Sequence, residues 1–77
     1  MKPNVVLKRQ MLVDYIVRHN LSFSQFADLC ELSRSNLHHL LNGKHNPTPN
    51  MRGRIIRGTA KLGTPLTFDE LFYIEGK

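Results

Sequence analysis

Arginine, serine and histidine side chains cluster on one side of a short predicted helix in the middle of the chain. Leu37, Leu40 and Leu41 follow the i, i+3, i+4 spacing of an inward helix face, and Asn42 with Gly43 ends the helix. The opposite face has no acidic residue and carries polar side chains: Arg34, Ser35, His38, His39 and Asn42. Arginine can bond the O6 and N7 atoms of guanine together, and serine can bond several bases. We therefore predict that this face contacts DNA.

A second short helix is predicted immediately before it. Ser22 and Gln25 form a Ser-x-x-Gln capping box, so this helix begins near Phe23, and Ser33 is the N-cap candidate of the following helix. The space between Cys30 and Ser33 holds only a tight turn. Two short helices joined in this way, the second exposing polar donors, form a helix-turn-helix, here over about residues 22–43.

Helices are also predicted on both sides of this pair. The apolar spacing over 4–19 predicts a first helix, which ends at Asn20 because asparagine tolerates the left-handed conformation. After a proline-containing loop, 44–50, the apolar spacing from Met51 to Leu62 predicts a fourth helix despite two glycines.

The end of the chain is predicted to be a short helix and a tail. Thr67 and Glu70 form a capping box for a last helix through Phe72, followed by a loose tail over about 73–77. No strand of useful length is predicted. The expected fold class is therefore all-α, a single compact domain over 1–77 built from about five short helices.

Charge is unevenly distributed along the chain. The protein has 77 residues, with 11 Lys or Arg against 6 Asp or Glu, giving a formal net charge of +5. The stretch 34–61 contains no acid and has these basic residues: Arg34, Lys44, Arg52, Arg54, Arg57 and Lys61. Such a block favours a surface that binds a polyanion, although a merely solvated basic face gives the same pattern.

Several other functions are not expected from the composition. Cys30 is the one cysteine, which excludes a disulfide scaffold and fits a reducing, cytoplasmic compartment. The apolar runs are too short for a membrane span or a signal peptide, so no membrane partner is expected. His38, His39, His45 and Cys30 lack metal-ligand spacing, and no base stands beside the cysteine. We expect neither a metal, nor another cofactor, nor an enzymatic activity.

The sequence resembles a known family of DNA-binding proteins. The run from Ser22 to Pro47 is similar to the helix-turn-helix of the lambda-repressor and Cro type, also called the XRE family. The matching positions are Ala27, Leu32, Ser33, Leu37, Leu40, Asn42-Gly43-Lys44 and Asn46-Pro47. The ending from Leu66 to Phe72 resembles the last helix of that family, so the resemblance covers nearly the whole chain.

The resemblance implies a function and a set of contact residues. It places Arg34, Ser35 and His39 on the bases, with His38 nearby. It places five residues on the DNA backbone: Ser22, Ser33, Asn42, Lys44 and His45. The protein would be a sequence-specific regulator that reads a palindromic operator in double-stranded DNA as a homodimer. Without an expected second domain, it is most similar to a small Cro-like repressor of a phage, plasmid or mobile element.

Four departures from the family pattern are informative. Glu31 stands where the family commonly has a turn glycine, so we expect either a turn of different conformation or a left-handed glutamate. Phe23 replaces a glutamine that touches the DNA backbone in the family. Ile16 and Leu41 replace an arginine–glutamate pair, and extra residues are expected near Thr64.

A protein-interaction module remains an alternative function. An antirepressor or antitoxin would use the same scaffold to bind a repressor or a toxin instead of DNA. The features that favour it are Phe23, the missing turn glycine and an aromatic end with Phe68, Phe72 and Tyr73.

Overall fold

The computed structural model describes residues 4–75 and is mostly helical. Its elements in chain order are β1 (Asn4–Leu7), α1 (Arg9–Arg18), α2 (Phe23–Leu29), α3 (Arg34–Leu41), α4 (Pro49–Lys61), α5 (Phe68–Leu71) and β2 (Phe72–Glu75). The five predicted helices are all present within this range. The expectation of an all-α fold is wrong for the two ends of the described range, residues 4–7 and 72–75, which form a small sheet.

The sheet joins the two ends of the described chain. β1 and β2 are antiparallel, with Asn4 opposite Glu75 and Leu7 opposite Phe72. The first helix therefore begins at Arg9 instead of residue 4, and the predicted loose tail is a strand as far as residue 75, while 76–77 lie outside the described residues. The paired β-branched and aromatic side chains of β1 and β2 favour the extended conformation over a helix.

A single core lies between the helices and one face of the sheet. α1 packs against α3 and α5, and α2 packs against α3 and α4. The fully buried large side chains are Leu12, Ile16, Phe26, Leu37, Leu40, Ile55, Leu71 and Phe72. Phe68 is half-buried and packs against this core, with its ring centroid 5.2 Å from that of Phe72. Core packing therefore accounts for Phe68 and Phe72, two of the three aromatic residues near the chain end that favoured a protein-interaction module.

Tyr15 ties α1 to the loop after α4. Its hydroxyl lies 2.9 Å from the Thr64 hydroxyl and 3.0 Å from the Thr64 carbonyl oxygen, and Thr64 Oγ1 lies 2.9 Å from His19 Nε2. The loop predicted to contain extra residues is therefore held by a buried tyrosine, which is 8% exposed.

Removing this hydroxyl destabilises the fold. We expect Tyr15→Phe to lower the free energy of unfolding by about 1 kcal/mol, because a typical intramolecular hydrogen bond is lost while the ring remains. Tyr73→Phe is the matched control, since that tyrosine is 45% exposed. Urea unfolding followed by circular dichroism measures both, and equal midpoints for the two variants would contradict a structural role for the Tyr15 hydroxyl.

Cys30 belongs to the core and contacts α4. It is 1% exposed, and burial raises the pKa of its thiol to about 12, with Lys61 acting in the opposite direction. A Cβ placed on Gly58 would collide with the Cys30 sulfur and lie 3.3 Å from the Cys30 Cα. The close approach of α4 to the end of α2 therefore depends on a glycine at 58.

Candidate nucleic-acid interface

The first turns of α2 and α3 are each fixed by a serine N-cap. The Ser22 hydroxyl accepts a hydrogen bond from the Gln25 amide at 3.1 Å, and the Gln25 side chain accepts one from the Ser22 amide at 2.8 Å. The Ser33 hydroxyl accepts one from the Asn36 amide at 3.0 Å. Both predicted caps are confirmed. Because a serine hydroxyl also has one hydrogen to donate, each remains able to donate to a phosphate.

The turn between these helices, residues 30–33, is held by cations from α4. Glu31 is left-handed, with φ +57°, which is one of the two conformations expected for a turn without its glycine. Its carbonyl oxygen accepts a hydrogen bond from Arg54 at 2.6 Å, and the Leu29 carbonyl accepts one from Lys61 at 2.9 Å. These cations stabilise the carboxyl end of α2, where carbonyl groups lack partners within the helix.

α3 separates an apolar face from a polar one. Leu37 and Leu40 are each 1% exposed and face the core as predicted, whereas Leu41 is only half-buried. Four of the predicted contact residues on the other side are exposed: Arg34, Ser35, His38 and Asn42. The fifth, His39, is half-buried. The core therefore fixes the orientation of α3 and leaves its polar face at the surface.

Three histidines line up near the end of α3. The ring centroid of His39 lies 6.4 Å from that of His38 and 5.3 Å from that of His45. The Asn42 amide donates to His38 Nε2 at 2.9 Å, so these two exposed side chains orient each other. His39 Nδ1 is buried and has no hydrogen-bond partner among the described residues. Of the three histidines, His38 and His45 are exposed at the surface.

An open groove runs between the start of α2 and the exposed face of α3. Its volume is about 570 Å³, and α2 contributes Phe23 and Ser24 to its wall. α3 contributes all four predicted base-reading residues and one leucine to the wall: Arg34, Ser35, His38, His39 and Leu41. No acidic side chain lines it, so nothing in its wall repels a phosphate. The structure brings together in one groove the residues that the sequence predicted to read bases.

Several cations of the basic block over 34–61 bond to the main chain of the protein. Arg54 and Lys61 of α4 donate to carbonyl oxygens at the end of α2, as described above. Arg52 donates to the Pro47 carbonyl oxygen at 3.1 Å. Half of the six cations thus hold main-chain carbonyl groups within the fold. Arg34 and Lys44 remain exposed at the two ends of α3.

Arg9 is a contact candidate that the sequence did not reveal. Gly43 is left-handed, with φ +76°, and one terminal nitrogen of Arg9 lies 2.8 Å from the place where a Cβ of Gly43 would be. The guanidinium therefore lies on the turn that ends α3, beside two predicted backbone-contact residues, Asn42 and Lys44. No local pattern connects positions 9 and 43; the one available signal was that Arg9 falls outside the apolar stripe of α1.

Metal binding and membrane crossing are two other roles that have clear structural requirements. No three histidine, cysteine or acidic side chains among residues 4–75 come close enough together to hold a metal ion. None of the helices in this range has both the length and the apolar character that crossing a membrane requires.

The chain matches no model of a protein family, no curated protein and no solved structure.

Proposed function

We propose that the protein is a sequence-specific regulator that binds double-stranded DNA as a homodimer, with 22–43 acting as a helix-turn-helix. One observation carries the proposal: the four predicted base-reading side chains line a single acid-free groove on α3. A helix of 8 residues with a buried leucine face can enter a major groove without disturbing the core.

Base contacts come from the exposed face of α3. Arg34, at its first turn, has the fork of donors that matches the O6 and N7 atoms of guanine. Ser35 and His38 line the same groove, and a hydrogen bond from Asn42 orients the His38 ring. The half-buried His39 also lines this groove and is the other histidine predicted to read bases.

Backbone contacts surround this face. The capping hydroxyl groups of Ser22 and Ser33 can donate to phosphates, and the amino end of α3 adds its partial positive charge. The far end of α3 supplies Asn42, Lys44 and His45, joined by Arg9. Such contacts set the position of the protein on the duplex, while the base contacts set the sequence it selects.

A homodimer follows from the small size of this contact surface. One copy of α3 reaches only a few base pairs, and two copies in successive major grooves, about 34 Å apart, double the number of base contacts. The operator is then an imperfect palindrome. Blocking RNA polymerase at such a site is the simplest mechanism, as expected of a small Cro-like repressor of a phage, plasmid or mobile element.

A protein-interaction module is the second candidate function. It is favoured by the exposure of two large apolar side chains on β2, Tyr73 at 45% and Ile74 at 62%. A repressor or toxin bound there would give a complex that survives high salt, because burial of apolar surface is not screened by ions.

Selection from random duplex DNA tests the proposal. The protein is incubated with a randomised duplex library at several salt concentrations, and the bound fraction is sequenced. We expect a palindromic consensus whose affinity falls steeply as salt rises. Binding without sequence preference, or no binding, would contradict the proposal and favour the protein-interaction module.

Lys44 should contribute affinity without selectivity. We expect Lys44→Ala to weaken binding by a similar factor on the selected operator and on random duplexes, and to reduce the slope of log affinity against log salt by about 1. Arg57→Ala is the control, since Arg57 is exposed on α4 and lines no part of the groove. A loss confined to the operator would instead place Lys44 on a base.

A further inference from the structure

Phe23 is a large apolar side chain that the core does not account for. It is the first residue of α2 and is 46% exposed, while Phe26, one turn later in the same helix, is fully buried. The Phe23 ring lies in the wall of the α2–α3 groove, together with the half-buried Leu41. The groove therefore has an apolar part beside the polar groups of Arg34, Ser35 and His38.

This combination restricts what the groove can hold. Base edges in the major groove are polar except for one group, the 5-methyl group of thymine, and phenylalanine is among the side chains that contact it. A phosphate suits Arg34 but not an aromatic ring, since phosphate is strongly hydrated. A base step with both a polar edge and a methyl group matches the two parts of the wall.

We propose that Phe23 is a specificity-determining residue that contacts the 5-methyl group of a thymine next to the base pair bound by Arg34. This inference rests on the proposed function, because it requires α3 to lie in a major groove. The ring then excludes water from the methyl group, which favours thymine over cytosine at that position. At this position the aromatic ring acts by burial of apolar surface instead of a hydrogen bond.

Uracil substitution tests the contact, because uracil differs from thymine only by the missing methyl group. Each thymine of the selected operator is replaced by uracil in turn, and the dissociation constant is measured for the wild type and for Phe23→Ala. We expect one thymine in each half-site at which uracil weakens wild-type binding by about 3- to 5-fold, the value for one buried methyl group. Phe23→Ala should bind the thymine and uracil duplexes equally at that position.

Two further variants separate this contact from a general loss of binding. Phe23→Leu keeps an apolar side chain and should retain part of the discrimination between thymine and uracil. Tyr73→Ala removes a similarly exposed aromatic ring outside the groove and should keep the full wild-type ratio. Circular dichroism verifies that each variant is folded.

The outcomes distinguish this inference from the proposed function. If the wild type binds a selected operator but no thymine shows the difference, or if Phe23→Ala keeps it, the inference is overturned and the regulator stands. An equal loss by Phe23→Ala on every duplex also overturns it and places the ring against the sugar–phosphate backbone. If the wild type selects no sequence, both the inference and the proposed function fail.

Discussion

Replacing Arg34 by alanine should weaken the preference of the protein for its operator. We expect a loss of about 1 to 3 kcal/mol, or about 5- to 150-fold in affinity, on the selected duplex. The reason is that a guanine contacted through both O6 and N7 loses its partner, while the phosphate contacts around α3 remain. Binding to random duplexes should change much less. Fluorescence anisotropy titrations on both duplexes measure the two effects.

Arg57→Ala is the matched control for this prediction. It removes the same charge from an exposed position on α4 that lines no part of the groove. It should leave the ratio of specific to random affinity unchanged. If Arg34→Ala lowered both affinities by the same factor, Arg34 would contact only phosphate and another residue would read the operator.

The second large effect concerns stability. We expect Gly58→Ala to lower the free energy of unfolding by about 1 to 2 kcal/mol, because the added Cβ collides with the Cys30 sulfur. Overpacking of this kind costs about 1 to 3 kcal/mol, which exceeds the gain of about 0.5 to 1 kcal/mol from replacing a helical glycine by alanine. Thermal unfolding should show a melting temperature lower by about 5 to 15 °C.

Gly53 provides the control within the same helix. A Cβ there would lie 3.2 Å from the end of the Arg57 side chain, which is exposed and able to move. Gly53→Ala should therefore stabilise the protein by up to about 1 kcal/mol. Combining Gly58→Ala with Cys30→Ala should recover part of the loss. Equal effects of the two glycine substitutions would contradict the close contact between α4 and Cys30.

Helix starts and faces could be predicted because their signals are local. The capping hydroxyl groups of Ser22, Ser33 and Thr67 each act within three residues along the chain. Leu37 and Leu40 face the core because one helical period places them there. The same periodicity placed Arg34 and His38 on the opposite face. The sequence therefore predicted which polar side chains of α3 line the groove.

The features that were missed depend on residues far apart in the sequence. Val5 faces Ile74 across the sheet, and neither segment alone is long enough to indicate a strand. Arg54 satisfies the Glu31 carbonyl, and Arg9 reaches Gly43, through contacts that only the tertiary fold creates. Charge counting therefore gave the number of basic residues but not which of them bond to carbonyl groups of the fold.

A competition titration tests the central claim most directly. The selected palindromic duplex and a scrambled duplex of the same composition compete for the protein at physiological salt. If α3 reads bases, the affinity for the palindrome should exceed the affinity for the scrambled duplex by a factor of about a thousand or more. Two protein chains should bind each palindromic duplex. A ratio near one, or no binding to either duplex, would contradict the assignment of this groove to DNA.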